Sequence, residues 1–275
     1  MGTSHRHKAS VSGEPNWGKA SQSVTSTAKA VEDGNKLEKS SSNMPPKQYA
    51  RAQSRVNNRI RFNYHRSVSN MVRAAGGRSN VASGKSYAIG RSGVSWLGNF
   101  AGNLQDIQSK GLANWLAEHN ETIDNKTCKD IIKLIAQISS DYMGGLDDTA
   151  AREAEMHVIE LMERIIGDNV DAIDQNIDKV LDPKMMTYLL DQYFGMYIFQ
   201  HLVQDFSERI AKTKGEELSN QTFAEIKDLI MEDVRVGFDD GTPATEIDWK
   251  GPQGHEYITK EFNRILRILS ADDND

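Results

Sequence analysis

The sequence predicts an all-α protein: a helical bundle body preceded by a long disordered tail and a basic, partly helical arm. Three observations carry this prediction. Beyond Gly98, apolar residues recur at helical spacing through several long segments. No stretch shows a strand pattern of convincing length. The first 45 residues are rich in Ser, Thr, Asn, Lys and Gly, with only scattered large apolar side chains. Such a segment cannot bury enough surface to offset its conformational entropy. The bulk figures agree, with 38% hydrophobic residues and a mean hydropathy of −0.59.

Taken in order, residues 1–45 read as the tail, 46–98 as the basic arm or linker, and 99–275 as an acidic α-helical domain. In the tail, "GEPNWGK" holds Trp17, which is either an anchor for a partner pocket or an ordinary surface residue. After Pro45-Pro46, Tyr49, Ala52, Val56 and Ile60 recur at helical spacing beside Arg51, Arg55 and Arg59, so the arm begins with a short helix. The glycines between Gly76 and Ser95 break any long element and suggest a flexible basic linker.

In the body, Leu104, Ile107, Leu112, Trp115 and Leu116 mark a first helix. Thr127-x-x-Asp130 is a capping-box start for a second, which runs to Ile138. Asp147 and Asp148 place acids at the positive end of a third. Asp182-Pro183 supplies an N-cap and a proline at the first helical position of a fourth, about residues 184–212. That helix is apolar nearly all round, which makes it the buried centre. A fifth spans roughly 222–235 and a last 256–269, separated by a turn-rich loop.

The net charge of −6 conceals a strong asymmetry. Lys39 to Gln105 contains eleven Lys or Arg and not one Asp or Glu, whereas residues 106–275 hold 17 basic and 35 acidic side chains. A basic arm tied to an acidic body points to a charged partner or to self-docking. The arm's cations, among them Arg51, Arg55, Arg59, Arg61, Arg66 and Arg73, with Tyr49, Phe62, Tyr64 and Tyr87 for stacking, suit an acidic protein surface or nucleic acid. Neither a helix-turn-helix nor an RNA-binding signature accompanies them, which favours a protein partner. No apolar run approaches a membrane span and no secretory signal precedes the chain, so a cytoplasmic protein is expected. The one cysteine, Cys128, excludes an intrachain disulfide and a cysteine-based zinc site, and no cofactor is indicated.

Three patterns suggest chemistry. "GGRSNVASGKS" ends like a phosphate-binding loop, but Ser79 stands where the first glycine belongs. Arg152 and His157 fit the R-x4-H signature of HEPN ribonucleases, and Arg59 with His65 fits R-x5-H; five residues apart, Arg152 and His157 lie about 140° apart round an ideal helix. His201 and Asp205, at i and i+4, are expected to form a hydrogen-bonded pair and not a metal site.

The opening Met1-Gly2-Thr3-Ser4, the Trp-bearing tail, the Gly-broken basic segment and the closing "IDWKGPQG" (Ile247 to Gly254, with Trp249) followed by an amphipathic helix together resemble the QatB component of Qat anti-phage defence operons. The resemblance implies a non-enzymatic component working beside an ATPase, a QueC-like enzyme and a TatD-like nuclease. Its partner contacts would include Trp17, Trp249 and the arm arginines. Removal of Met1 would expose Gly2, whose α-amine is neutral at pH 7 far more often than a lysine, with a pKa of about 8 against about 10.4. A QueC-like partner that activates a deazaguanine carboxylate can then join it to Gly2 as an amide. A HEPN-like ribonuclease or a nucleic-acid-binding module are the alternative readings.

Overall fold

The computed structural model describes residues 15–167, 169–170, 172–238 and 247–271. Among them the chain forms eleven α-helices and no strand. A hairpin of α1 (Pro15–Lys39) and α2 (Pro46–Ala74) turns through a 3-10 segment, Ser41–Asn43. Short α3 (Arg78–Ala82) leads to α4 (Arg91–Lys110), α5 (Leu112–Glu118) and α6 (Cys128–Ile138). Then come α7 (Leu146–Ile166), α8 (Ala172–Leu181), α9 (Pro183–Lys214), α10 (Glu216–Phe238) and α11 (Pro252–Ser270).

The all-α expectation holds, and α9 is the central helix. It packs against α7, α10 and α11, and its aromatic face organises the core. Trp96 stacks between Phe100 and Tyr193, at 4.6 and 4.9 Å between ring centroids, and Phe194 lies 3.9 Å from Phe262. The helix starts read from sequence form as expected. Thr127 Oγ1 accepts from the Asp130 amide at 3.2 Å while Asp130 accepts from the Thr127 amide at 2.9 Å. Asp182 accepts from the amides of Lys184 and Met185.

Three expectations are corrected. The segment expected to be a disordered tail contains a helix of 25 residues, α1, within 1–45. Its Ser and Thr hydroxyls do not compete with the helix, because they donate to carbonyls one turn back: Ser23 to Lys19, Thr25 to Ser21, Ser26 to Gln22 and Thr27 to Ser23. Its buried face is built from small residues, Ala20, Val24, Ala28 and Val31, so α2 approaches closely and little apolar mass suffices. The hairpin is antiparallel, with Arg59 on Asp33 at one level and Asn70 on Ser23 at another.

Second, the helix that opens the arm is not short but runs for 29 residues as α2. Third, the Gly-rich linker is packed: Val81, Ala82 and Ile89 are buried in it, and the boundary drawn at residue 98 falls inside α4. Its glycines serve close approach. Gly90 has φ +113° and a Cβ there would meet the Val81 carbonyl oxygen, and a Cβ on Gly93 would sit 3.0 Å from the Tyr197 ring. The helix α8 had no counterpart in the sequence reading.

Candidate functional site

The basic arm resolves into two sets of arginines once α2 is a continuous helix. At 100° per residue, Arg51, Arg55, Phe62, Arg66 and Arg73 fall within about 60° of one another, forming one stripe along about 33 Å of helix. Arg51, Arg55, Arg66 and Arg73 are exposed, and Phe62 is 61% exposed. The Arg66 guanidinium stands 5.5 Å from the centre of the Phe62 ring. Arg59, at the edge of this stripe, and Arg61, well off it, are used within the molecule. Arg59 pairs with Asp33 of α1 at 3.0 Å, and Arg61 pairs with Asp233 and, at 2.5 Å, with Glu232 of α10.

The stripe runs into a groove of about 510 Å³ where α1, α2 and the end of α11 meet. From α1 come Lys19 and Gln22; from α2 come Phe62, Arg66 and Arg73, with Asn70 deeper; Ser270 and Ala271 close the far side. No acidic side chain lines it among the described residues. His65, which also lines it, belongs to a network beneath α2. Tyr64 donates its hydroxyl to Asp233, and His65 contacts the Leu269 carbonyl through Nδ1 at 2.9 Å, with Nε2 3.6 Å from Asp233. Burial and the neighbouring carboxylate push the Tyr64 phenol up, so it stays a neutral donor. The His65 side chain is thus held from the protein side.

A second polar cluster joins α4, α7 and α9. Asp147 accepts from the amides of Gly90 at 3.2 Å and Ser92 at 2.8 Å, from the Tyr197 hydroxyl, and lies 3.1 Å from His201 Nε2. It caps the start of α4 from another helix. Burial alone would raise its pKa; its hydrogen bonds with His201, Tyr197 and Ser92 outweigh burial and hold it below the usual carboxylate value. The expected His201–Asp205 hydrogen bond is thus replaced by His201–Asp147. Asp205 is pushed up to about 6 by burial, with His201 opposing. His201 is 2% exposed, so this cluster is a joint and not a cleft.

The other sequence candidates are dispersed. Arg152 lies 4.9 Å from the centre of the Tyr142 ring, whereas His157 faces Gln192 at 3.4 Å, so the two do not converge. Likewise Arg59 turns to α1 and His65 to α11. In the loop that resembles a phosphate cradle, the amides of Lys85 and Ser86 both donate to the Asn80 carbonyl. Trp17 is half-buried against Phe206, 6.3 Å away, and Trp249 is 6% exposed with Tyr257 edge-on at 5.7 Å. Trp249 is a core residue because Gln105 holds its strap: Gln105 accepts from the Trp249 amide and donates to the Ile247 carbonyl. Gly254 completes the motif, since a Cβ there would come within 2.5 to 2.8 Å of the Trp249 backbone. Gly2 lies outside the described residues. Among those residues no group of three His, Cys, Asp or Glu is placed to hold a metal ion, and no helix is long and apolar enough to cross a membrane.

Sequence reasoning missed Lys19, Gln22 and Ser270 as groove residues. The signal was present in Ala20, Val24, Ala28 and Val31, which repeat at i, i+4, i+8 and i+11, but their side chains are too small to register as a core stripe.

No curated protein and no solved structure matches the chain. A protein family does, over residues 76–269, from α3 through nearly all of α11. The α1–α2 hairpin and the residues lining the groove lie outside that span. With most of its length matched, including the packed glycine segment, the α4–α7–α9 joint and the Trp249–Gly254 strap, the chain belongs to the family described as Qat anti-phage system associated protein QatB.

Proposed function

We propose that this chain is a non-catalytic adaptor of a Qat anti-phage defence complex, working with an ATPase, a QueC-like enzyme and a TatD-like nuclease. Family membership supplies the system. The observation that supports the adaptor role is the employment of its candidate catalytic groups. Arg152, His157, Arg59 and His65 are each engaged by a different structural neighbour and share no cleft.

The same reading makes Gly2 an acceptor for modification. A deazaguanine carboxylate reacts with ATP to give an acyl-adenylate and pyrophosphate. The neutral Gly2 amine attacks the acyl carbon, AMP leaves with the bonding electron pair, and the amine loses a proton as the amide forms. An α-amine suits this step because much of it is unprotonated near neutral pH.

The test is co-expression with the neighbouring operon proteins, followed by co-purification, intact mass and peptide mapping. The expected result is a stable complex and a mass increment confined to the peptide beginning at Gly2, lost when the QueC-like enzyme is inactivated. An unmodified Gly2 in a defence-competent complex removes the acceptor role. RNA cleavage by the purified chain, abolished by His157→Ala or His65→Ala, removes the adaptor role.

A further inference from the structure

We infer that the exposed stripe of α2 and the groove at its end form a binding site for single-stranded nucleic acid. The site is an assembly that the sequence order hides. Lys19 of α1 joins Arg66 of α2 at one groove, and Arg51 and Arg55 continue the same face away from it. Arg51 and Arg66 are separated by about 22 Å along the helix, the reach of several nucleotides and not of a single phosphate. Arg59 and Arg61 pair with carboxylates of the protein itself.

Charge by itself does not choose between a phosphate backbone and a carboxylate surface. Phe62 does. It interrupts the cationic row with a ring that is 61% exposed, the one large aromatic on this face. An exposed aromatic between cations is the arrangement on which unpaired bases stack while their phosphates are neutralised. A row of carboxylates can pair with the arginines without using that ring, and a duplex hides its base faces from it. Within the groove, Gln22 and Asn70 add amide side chains beside the ring. His65, which lines the groove, is already held by the Leu269 carbonyl and lies close to Asp233, so binding need not order that side chain.

The experiment is fluorescence anisotropy of the full chain with labelled oligothymidine across a salt series. Asp272, Asp273 and Asp275 follow the groove residue Ala271 in sequence, so their charge is included in the measurement. Binding should weaken with salt, and Arg55→Gln combined with Arg66→Gln should lower affinity and reduce the slope of log K against log salt by about 1.4, or about 0.7 per lost contact on a single strand. Phe62→Ala should weaken binding by about tenfold with the slope unchanged, because stacking releases no counterions. Lys179→Gln, an exposed cation on α8, should change neither. All four positions are solvent-exposed, so unchanged circular dichroism is expected throughout. No binding at low salt overturns the inference. So does equal affinity for duplex with no effect of Phe62→Ala, and so does polyglutamate competing as well as oligothymidine, which would mark a surface for acidic protein.

Discussion

Glu155 shows how one buried side chain ties this fold to pH. It is 7% exposed on α7, accepts from the Tyr142 hydroxyl at 3.1 Å, and is pushed up to about 7 chiefly by burial. Its hydrogen bonds from Tyr142 and Ser140 oppose the shift without cancelling it. The folded state therefore holds a proton that the unfolded chain, with a carboxyl pKa near 4.3, has released. Stability from this group is fully present below the unfolded value and is lost as pH rises to about 7. Asp205, at about 6, acts in the same direction. Glu155→Gln removes the ionisation and keeps an acceptor for Tyr142. The drop in thermal midpoint between pH 5 and pH 8 should narrow by a few degrees in this variant, measured by scanning calorimetry. An unchanged drop would mean that Glu155 is ionised without penalty in the fold. The residue scale also explains the tryptophans. Trp17 and Trp249 are candidate partner anchors in the sequence, but Phe206 packs on the first and Gln105 holds the strap of the second, both from distant segments that no local pattern discloses.

At the scale of elements, helix ends were the most legible feature. Thr127, Asp130, Asp182 and Pro183 fix their helix starts through contacts within four residues, so the sequence holds all the information needed. The start of α4 is different. Its N-cap is Gly90, which has no side chain to cap with, and the acceptor comes from Asp147 on α7. Asp147 reads in sequence as an ordinary first-turn acid and acts in the fold as a tertiary cap. Asp147→Ala should destabilise the protein by roughly 3 kcal/mol, because it leaves the Ser92 amide and the Tyr197 hydroxyl without their acceptor. Urea unfolding measures this, and a cycle with Tyr197→Phe should show coupling of about 1 kcal/mol. Additive losses would indicate that the two side chains act independently. The helix α8 escaped the sequence reading because it is short and closely follows the glycine that ends α7, where no strong start signal precedes it.

At the scale of the whole molecule, the charge asymmetry is partly internal. The arm and the body are bound through Arg61 to Asp233 and Glu232, which makes self-docking a fact of the fold for that residue, while Arg51, Arg55 and Arg66 remain directed outward. The hairpin is part of the core: Val24, Ala28, Tyr64, Val68 and Met71 pack in the same apolar cluster as α9 and α11. A chain lacking residues 1–39 loses α1 and uncovers the inner face of α2. Its thermal midpoint should fall by at least about 5 °C relative to the full chain, given the area uncovered. An unchanged midpoint would show that α1 is dispensable to the fold.

By itself the sequence determined the helical class, the capped helix starts, the central place of α9 and the segregation of charge. Each follows from spacing or composition within a few turns of chain. The tertiary structure decided that a Ser- and Ala-rich segment folds and that the glycines after α2 are packing contacts. It also decided which arginines face outward and where His201 and the tryptophans find their partners. These depend on surfaces far apart in the chain: small side chains make a core only when a second helix lies against them, and a guanidinium is spent or free according to which carboxylate the fold brings near.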